Sequence, residues 1–216
     1  MNLLFRALFV LAALQLAGCA TMQYAALEKV GVHKRDLLVD RIKSAQASQS
    51  ETKEQVVSAY EQFRALVAVD DRGLEKQYKT LVGEVTRSEE KAATLDKRIG
   101  AVESVARDLF VEWEAELAQY SNPALKEQSR RNLLTTQTRY EQMRQRMRSA
   151  QARIAPVLHV LQDQTLYLKH NLNARAVASL QGEVRSIESK VSVLITEMEA
   201  AVLEAERFVQ GMAGSG

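Results

Sequence analysis

Cysteine is almost absent from this chain: Cys19 stands alone, which excludes an internal disulfide framework. Proline occurs twice and glycine nine times in 216 residues, too little punctuation for a loop-rich or many-stranded fold. No stretch alternates Val, Ile or Thr with polar residues as a half-buried strand would. The formal net charge is only +2, so charge gives no reason to expect a nucleic-acid partner. Catalytic signatures are missing too. His33, His159 and His170 stand far apart with no HExxH-type spacing, and there is neither a P-loop glycine pattern nor a GxSxG elbow. Neither an enzyme nor a metal or cofactor site is expected.

What the chain does have is a long helical period. From Leu74 to Tyr120 the positions Leu74, Tyr78, Leu81, Val85, Ser88, Ala92, Leu95, Ile99, Val102, Ala106, Leu109 and Trp113 advance by alternating steps of four and three. That is the 3.5-residue repeat of a coiled-coil helix, and a strand period cannot produce it. At 1.5 Å per residue such a helix is roughly 70 Å long, and it needs partners of similar length to bury its seam. The same chain supplies them. A first helix carries Leu38, Ile42, Ala45, Gln49, Thr52, Val56, Ala59, Phe63 and Leu66, with polar Gln49 and Thr52 making a soft layer that sets register.

The segment 69–73 should end this helix and start the next, with an aspartate, Asp70 or Asp71, as N-cap. Tyr120-Ser121-Asn122-Pro123 is the clearest turn, Asn122 capping and Pro123 at the first helical position. A third helix then runs to His170, kinked but not ended by Pro156. After Asn173 a fourth carries Val177, Leu180, Val184, Ile187, Val191, Leu194, Met198, Ala201, Ala205 and Phe208. Lengths of about 35, 47, 48 and 36 residues with short connections predict an all-α, elongated up-down-up-down bundle over 35–210, followed by a flexible tail at 211–216. The hairpin of helices two and three should project at one end, the end where the first helix starts.

The amino terminus predicts an address. Arg6 precedes the apolar run Ala7 to Leu14, and Leu16-Ala17-Gly18-Cys19 follows. The pattern reads as a secretory signal, residues 1–18, closed by a sequence that resembles the lipobox of bacterial lipoproteins. In that class the peptide is cut before the cysteine, the thiol receives a diacylglyceryl group and the new amino terminus is acylated, so Cys19 becomes the anchor. Several acyl chains at one point hold a protein stably at a membrane. Ala20 in place of aspartate points to the periplasmic face of the outer membrane rather than the inner. Residues 19–34 form the lipidated cysteine and its tether, able to reach about 50 Å when fully extended. Export also disfavours nucleic acid.

Charge tests the arrangement. Helix three has nine Lys or Arg against Glu127, Glu141 and Asp163, a net of +6, whereas helices two and four are −3 and −2. A basic helix between two acidic neighbours finds its partners within the bundle, which favours this pairing over wrong ones. Folding at Asn122 should set Asp108, Glu112, Glu114 and Glu116 beside Lys126, Arg130 and Arg131. Folding at Asn173 should set Glu197, Glu199, Glu204 and Glu206 beside Arg139, Arg144, Arg146 and Arg148.

The segments Leu27-Glu28-Lys29-Val30-Gly31-Val32-His33-Lys34-Arg35-Asp36 and Leu166-Tyr167-Leu168-Lys169-His170-Asn171-Leu172-Asn173-Ala174 resemble an uncharacterised family of Gram-negative lipoproteins, domain of unknown function 2959. The resemblance implies the envelope address and no activity. The expected role is structural or adaptor-like, with other envelope proteins as partners. The alternative is a ligand-handling or chaperone-like bundle with a cavity near Pro156 and the Gln49–Thr52 layer.

Overall fold

A computed structural model describes residues 34–68 and 73–213. Residues 1–33, which include the expected signal peptide, Cys19 and most of the expected tether, lie outside the described residues, as do Asp70, Asp71 and the last three residues. Six helical segments follow one another: α1 (Lys34–Val67), α2 (Leu74–Leu117), α3 (Pro123–Ala152), α4 (Ile154–His170), α5 (Ala174–Ser179) and α6 (Gln181–Ala213). There is no strand among the described residues. They make four limbs of an antiparallel bundle in which α1 packs on α2 and α6, and α3 packs on α2 and α6. The all-α elongated bundle is therefore the fold.

The heptad seams are the core. Every seam position of α1, from Leu38 to Leu66, is buried, including Gln49 and Thr52. On α2 the seam residues Leu74, Leu81, Val85, Ser88, Leu95, Ile99, Val102 and Ala106 are buried, and Tyr78, Ala92, Leu109 and Trp113 pack against them half-covered. Val105, Phe110 and Leu117 are buried as well, off the strict repeat. A limb that touches neighbours on two sides buries a wider stripe than a two-stranded seam does.

The turns follow local chemistry. Asn122 accepts hydrogen bonds from the backbone N–H groups of Ala124 (2.9 Å) and Leu125 (3.3 Å), with Pro123 opening α3. Asn173 likewise accepts from Ala176 N–H at 3.0 Å and starts α5. The α3/α4 break is the Pro156 kink. Proline removes the donor that would have met the Ala152 carbonyl, and Arg153 N–H turns to Ala150 O at 3.1 Å. Ala152 and Pro156 are both exposed, so that carbonyl faces water and the bend costs little. Past the kink α4 touches α1 as well as α2 and α6.

Three boundaries differ from the sequence expectation. The residue capping α2 is Gly73, with φ −109° and no side-chain hydrogen bond, in place of an aspartate. The fourth limb is broken at buried Leu180, where Ser179 Oγ donates to Ala176 O at 2.6 Å and Gly182 follows. A hydroxyl bonded to its own turn and a glycine next to it both weaken helix continuity. At the other end α6 runs on to Ala213, and Met212 is buried at 6% exposure. Gly211 to Ala213 thus belong to the bundle and not to a tail.

Lys34, the first residue of α1, pairs with Glu112 of α2 at 2.9 Å. The α2/α3 hairpin therefore continues beyond the described ends of α1 and α6. From Trp113 to the turn this is about 10 Å of helix on one limb, and from the turn to Asn132 about 15 Å on the other. The turn of this hairpin lies at the end of the bundle where the described part of α1 begins.

Candidate functional site

A groove of about 410 Å³ opens at the base of this hairpin. Leu109, Trp113 and Glu116 come from α2, and Asn132, Thr136 and Arg139 from α3. Arg35 at the start of α1 and Phe208, Gly211 and Met212 near the end of α6 close its lower rim. It lies where the inward-facing residues of the hairpin limbs continue past the described ends of α1 and α6. Trp113 is set there by a hydrogen bond from its Nε1 to Ser129 Oγ at 2.9 Å, which ties the two limbs together. Beneath the groove Tyr140 of α3 bridges Phe110 of α2 and Phe208 of α6 in edge-on contacts, centroids 5.4 and 6.1 Å apart. Burial pushes the Tyr140 hydroxyl up to about 12, with nearby Glu103 adding to the effect.

A more open depression of about 540 Å³ borders the same aromatic cluster, lined by Glu103, Arg107, Gln137, Glu141 and Arg144. Its charges are largely spent on each other. Arg148 donates to both oxygens of Glu103 at 2.8 and 2.5 Å and to Asp96 at 2.7 Å. Arg144 donates to Glu141 at 2.8 and 2.6 Å and lies 3.6 Å from Glu103. These guanidinium bonds hold Glu141 down at about 2 and keep Glu103 and Asp96 below the usual carboxylate range. The depression is a fastened seam between α2 and α3, and the groove with its apolar wall is the better candidate site.

Those ion pairs revise the charge pairing expected from the sequence. Arg144 and Arg148 do find acidic partners inside the bundle, but on α2 and not on α6. Glu199 of α6 pairs with Lys53 of α1, and Glu204 with Arg207 in its own helix. At the hairpin tip Arg130 and Arg131 pair with Glu127 one turn away. Glu112 turns to Lys34, and Glu114 accepts from Gln137. A partner three or four residues away competes well with one across a helix interface when both are exposed.

Cys19, Leu16, Ala17, Gly18 and His33 lie outside the described residues. His159 and His170 are both exposed on α4. Among the described residues no group of three His, Cys, Asp or Glu is placed to hold a metal, and no helix is long and apolar enough to cross a membrane. The Gln49–Thr52 layer is closed rather than hollow: both residues are fully buried, and Thr52 Oγ1 donates to Ser48 O at 2.7 Å. Near Pro156 there is a shallow groove of about 260 Å³ against Ala92, Ile154 and Leu158. The groove at the hairpin base was not anticipated. Its sequence signal is the mismatch in limb length, with Leu109 and Trp113 near the level where the described parts of α1 and α6 end.

Fold and groove together define a class: an elongated antiparallel helical bundle whose central hairpin overhangs a half-apolar groove. Residues 23–212 match the model of the family described as Protein of unknown function (DUF2959), and the chain belongs to that family. No curated protein and no solved structure matches it.

Proposed function

We propose that the protein is a lipid-anchored helical bundle on the periplasmic face of the outer membrane, with a structural or adaptor role toward other envelope proteins. The observation that carries this reading is the position of the lone thiol, Cys19, at the end of Leu16-Ala17-Gly18-Cys19 after an apolar run. Two features of the fold support it. The chain leaves the bundle toward its amino terminus beside the hairpin, so an anchor at Cys19 sets the hairpin near the lipid surface. The hairpin exposes Leu125 (57%) and Tyr120 (41%) at its tip, a surface suited to contact rather than to chemistry.

Cys19→Ser is expected to abolish uptake of labelled fatty acid and to release the protein from the membrane fraction. Unchanged fractionation of that variant, with no label in either form, would sink the anchoring. The adaptor role is tested by a photo-crosslinker at Ser121 in intact cells, which should capture one or a few envelope proteins reproducibly. Absence of any specific adduct counts against it.

The groove favours a second reading, a ligand-handling bundle, because its size falls within the range of small-molecule sites. A small apolar probe that binds the purified protein and quenches Trp113, the sole tryptophan, would support that reading.

A further inference from the structure

The arginines of α3 divide into two sets. Arg144 and Arg148 turn to Glu141, Glu103 and Asp96. Arg139, Arg146 and Arg153 are exposed and form no ion pair among the described residues. They recur every seven residues, so each step turns only about 20° around the helix and climbs about 10.5 Å. Three guanidinium groups thus line one face of α3 over about 21 Å. The acidic residues of α3, Glu127 and Glu141, stand on another flank, where they hold Arg130, Arg131 and Arg144. Of the glutamates expected beside this face, Glu199 pairs with Lys53 and lines a depression against α1 together with Glu206, and Glu204 pairs with Arg207 in its own helix. Half-buried Glu197 is the fourth, so three cations remain for one carboxylate.

Gln142 and Ser149 separate the arginines on this face, and no exposed aromatic or large aliphatic side chain stands among them. A specific protein interface is centred on aromatic or apolar anchors in pockets, and a face of bare charge without one suits a partner recognised by charge alone. We propose that Arg139, Arg146 and Arg153 form a docking face for the anionic headgroups of a phospholipid bilayer, laying the bundle along the membrane with α3 toward the lipid. The anchoring proposed above brings a bilayer within reach, and the inference rests on that reading. Acyl chains and a basic face are complementary signals: the chains hold the protein at the membrane, and the cations set which side meets it. Each arginine near an anionic surface strengthens binding by about fivefold, so three give about a hundredfold. Because α1 and α3 each pack on α2 and α6, α1 stands diagonally across the bundle. The orientation turns α1 away from the lipid, where other envelope proteins can meet it.

The test uses the full chain carrying Cys19→Ser, so that no acyl group contributes. Its partition is measured on vesicles of phosphatidylcholine alone and of phosphatidylcholine mixed with phosphatidylglycerol. The apolar run Ala7 to Leu14 is common to every variant, so the ratio of the two partitions reports charge. The parent should prefer the anionic vesicles, and added salt should weaken that preference. Arg139→Gln/Arg146→Gln/Arg153→Gln should lower the ratio by about a hundredfold. Lys43→Gln/Lys76→Gln/Lys97→Gln removes the same net charge from exposed positions of α1 and α2 and should lower it by much less. Circular dichroism checks that both variants keep the parent's fold, as exposed, unpaired side chains allow. Equal partition of the parent onto both vesicles overturns the proposal. So does a folded arginine variant that loses no more than the lysine variant. Arginine-dependent binding of dextran sulfate without any preference for anionic vesicles would assign the face to a soluble polyanion and overturn it as well. Uptake of labelled fatty acid by the unaltered chain reads out anchoring separately, so failure of the two ideas is distinguishable.

Discussion

Gln49 is a polar residue in the one place where polarity should hurt. Its side chain is fully buried in the α1 seam, and neither amide atom has a hydrogen-bond partner among the described residues. A buried amide without partners costs about 1–3 kcal/mol, and replacing it with an apolar group of similar size removes that cost. Gln49→Leu is therefore expected to stabilise the bundle by about 1–3 kcal/mol, where most core substitutions destabilise. For a chain of this size each kcal/mol moves the melting temperature by about 2–4 °C, so a rise of roughly 2–12 °C should follow. Urea unfolding followed by circular dichroism measures it, with an unchanged slope showing that the native and unfolded states expose the same surface.

Thr52, one turn away, provides the contrast. Its hydroxyl donates to Ser48 O and sits 3.3 Å from Lys91 O, so Thr52→Val loses a satisfied bond and should be neutral or destabilising by about 1 kcal/mol. A loss of 1 kcal/mol or more for Gln49→Leu would refute the reasoning. It would mean that the amide is satisfied in solution by an internal water. Gain of stability with loss of a single well-ordered state would instead identify Gln49 as the residue that fixes helix register.

Other outcomes follow from the same structure. Arg148→Ala removes a forked contact to half-buried Glu103 and a bond to exposed Asp96, and should cost about 1–2 kcal/mol in chemical unfolding; Arg148→Lys should recover only part, since a point charge cannot reproduce the fork. Glu141, Glu103 and Asp96 all have carboxyls held below their ordinary values. The unfolded chain then binds more protons between about pH 2 and 4.5, so stability is full above that window and falls as pH drops through it. Acid unfolding of Arg148→Ala should show a shallower dependence there. At the alkaline end Tyr140, pushed up to about 12 by burial, ionises more readily when unfolded, so stability falls as pH rises above about 10, and Tyr140→Phe should remove that part of the fall. Gly100 sits in the middle of α2 with nothing within 4 Å of an added Cβ, and Gly100→Ala should raise stability by about 0.5–1 kcal/mol.

Most of the fold was legible because one signal, the alternation of steps of four and three, persists through every limb. Burial of Leu38 through Leu66 and of Ile187 through Phe208 follows that alternation directly. The turn at Asn122-Pro123 and the cap at Asn173 were readable for a different reason, since each rests on a local side-chain hydrogen bond that does not depend on the rest of the fold. What escaped was decided by competition between near-equal terms. The break at Leu180 balances helix propensity against one hydroxyl bond and one glycine. The partners of Arg130, Arg131, Arg144 and Glu204 depend on which exposed carboxylate lies nearer, worth a few tenths of a kcal/mol either way. Val105 and Phe110 were hidden because a 3.5-residue seam describes contact with one neighbour, and α2 has more than one. The groove was illegible as a list of residues, since no motif marks it. Only the difference in limb lengths, set against the level of the Lys34–Glu112 pair, places it.

The proposed address rests on one atom, the Cys19 thiol, and the intact mass of the chain purified from membranes tests it most directly. Anchoring requires a mature chain that begins at Cys19, without residues 1–18, carrying a diacylglyceryl group on sulfur and an acyl group on the new amino terminus. A chain that keeps Met1, or one with an unmodified Cys19 thiol, would contradict it.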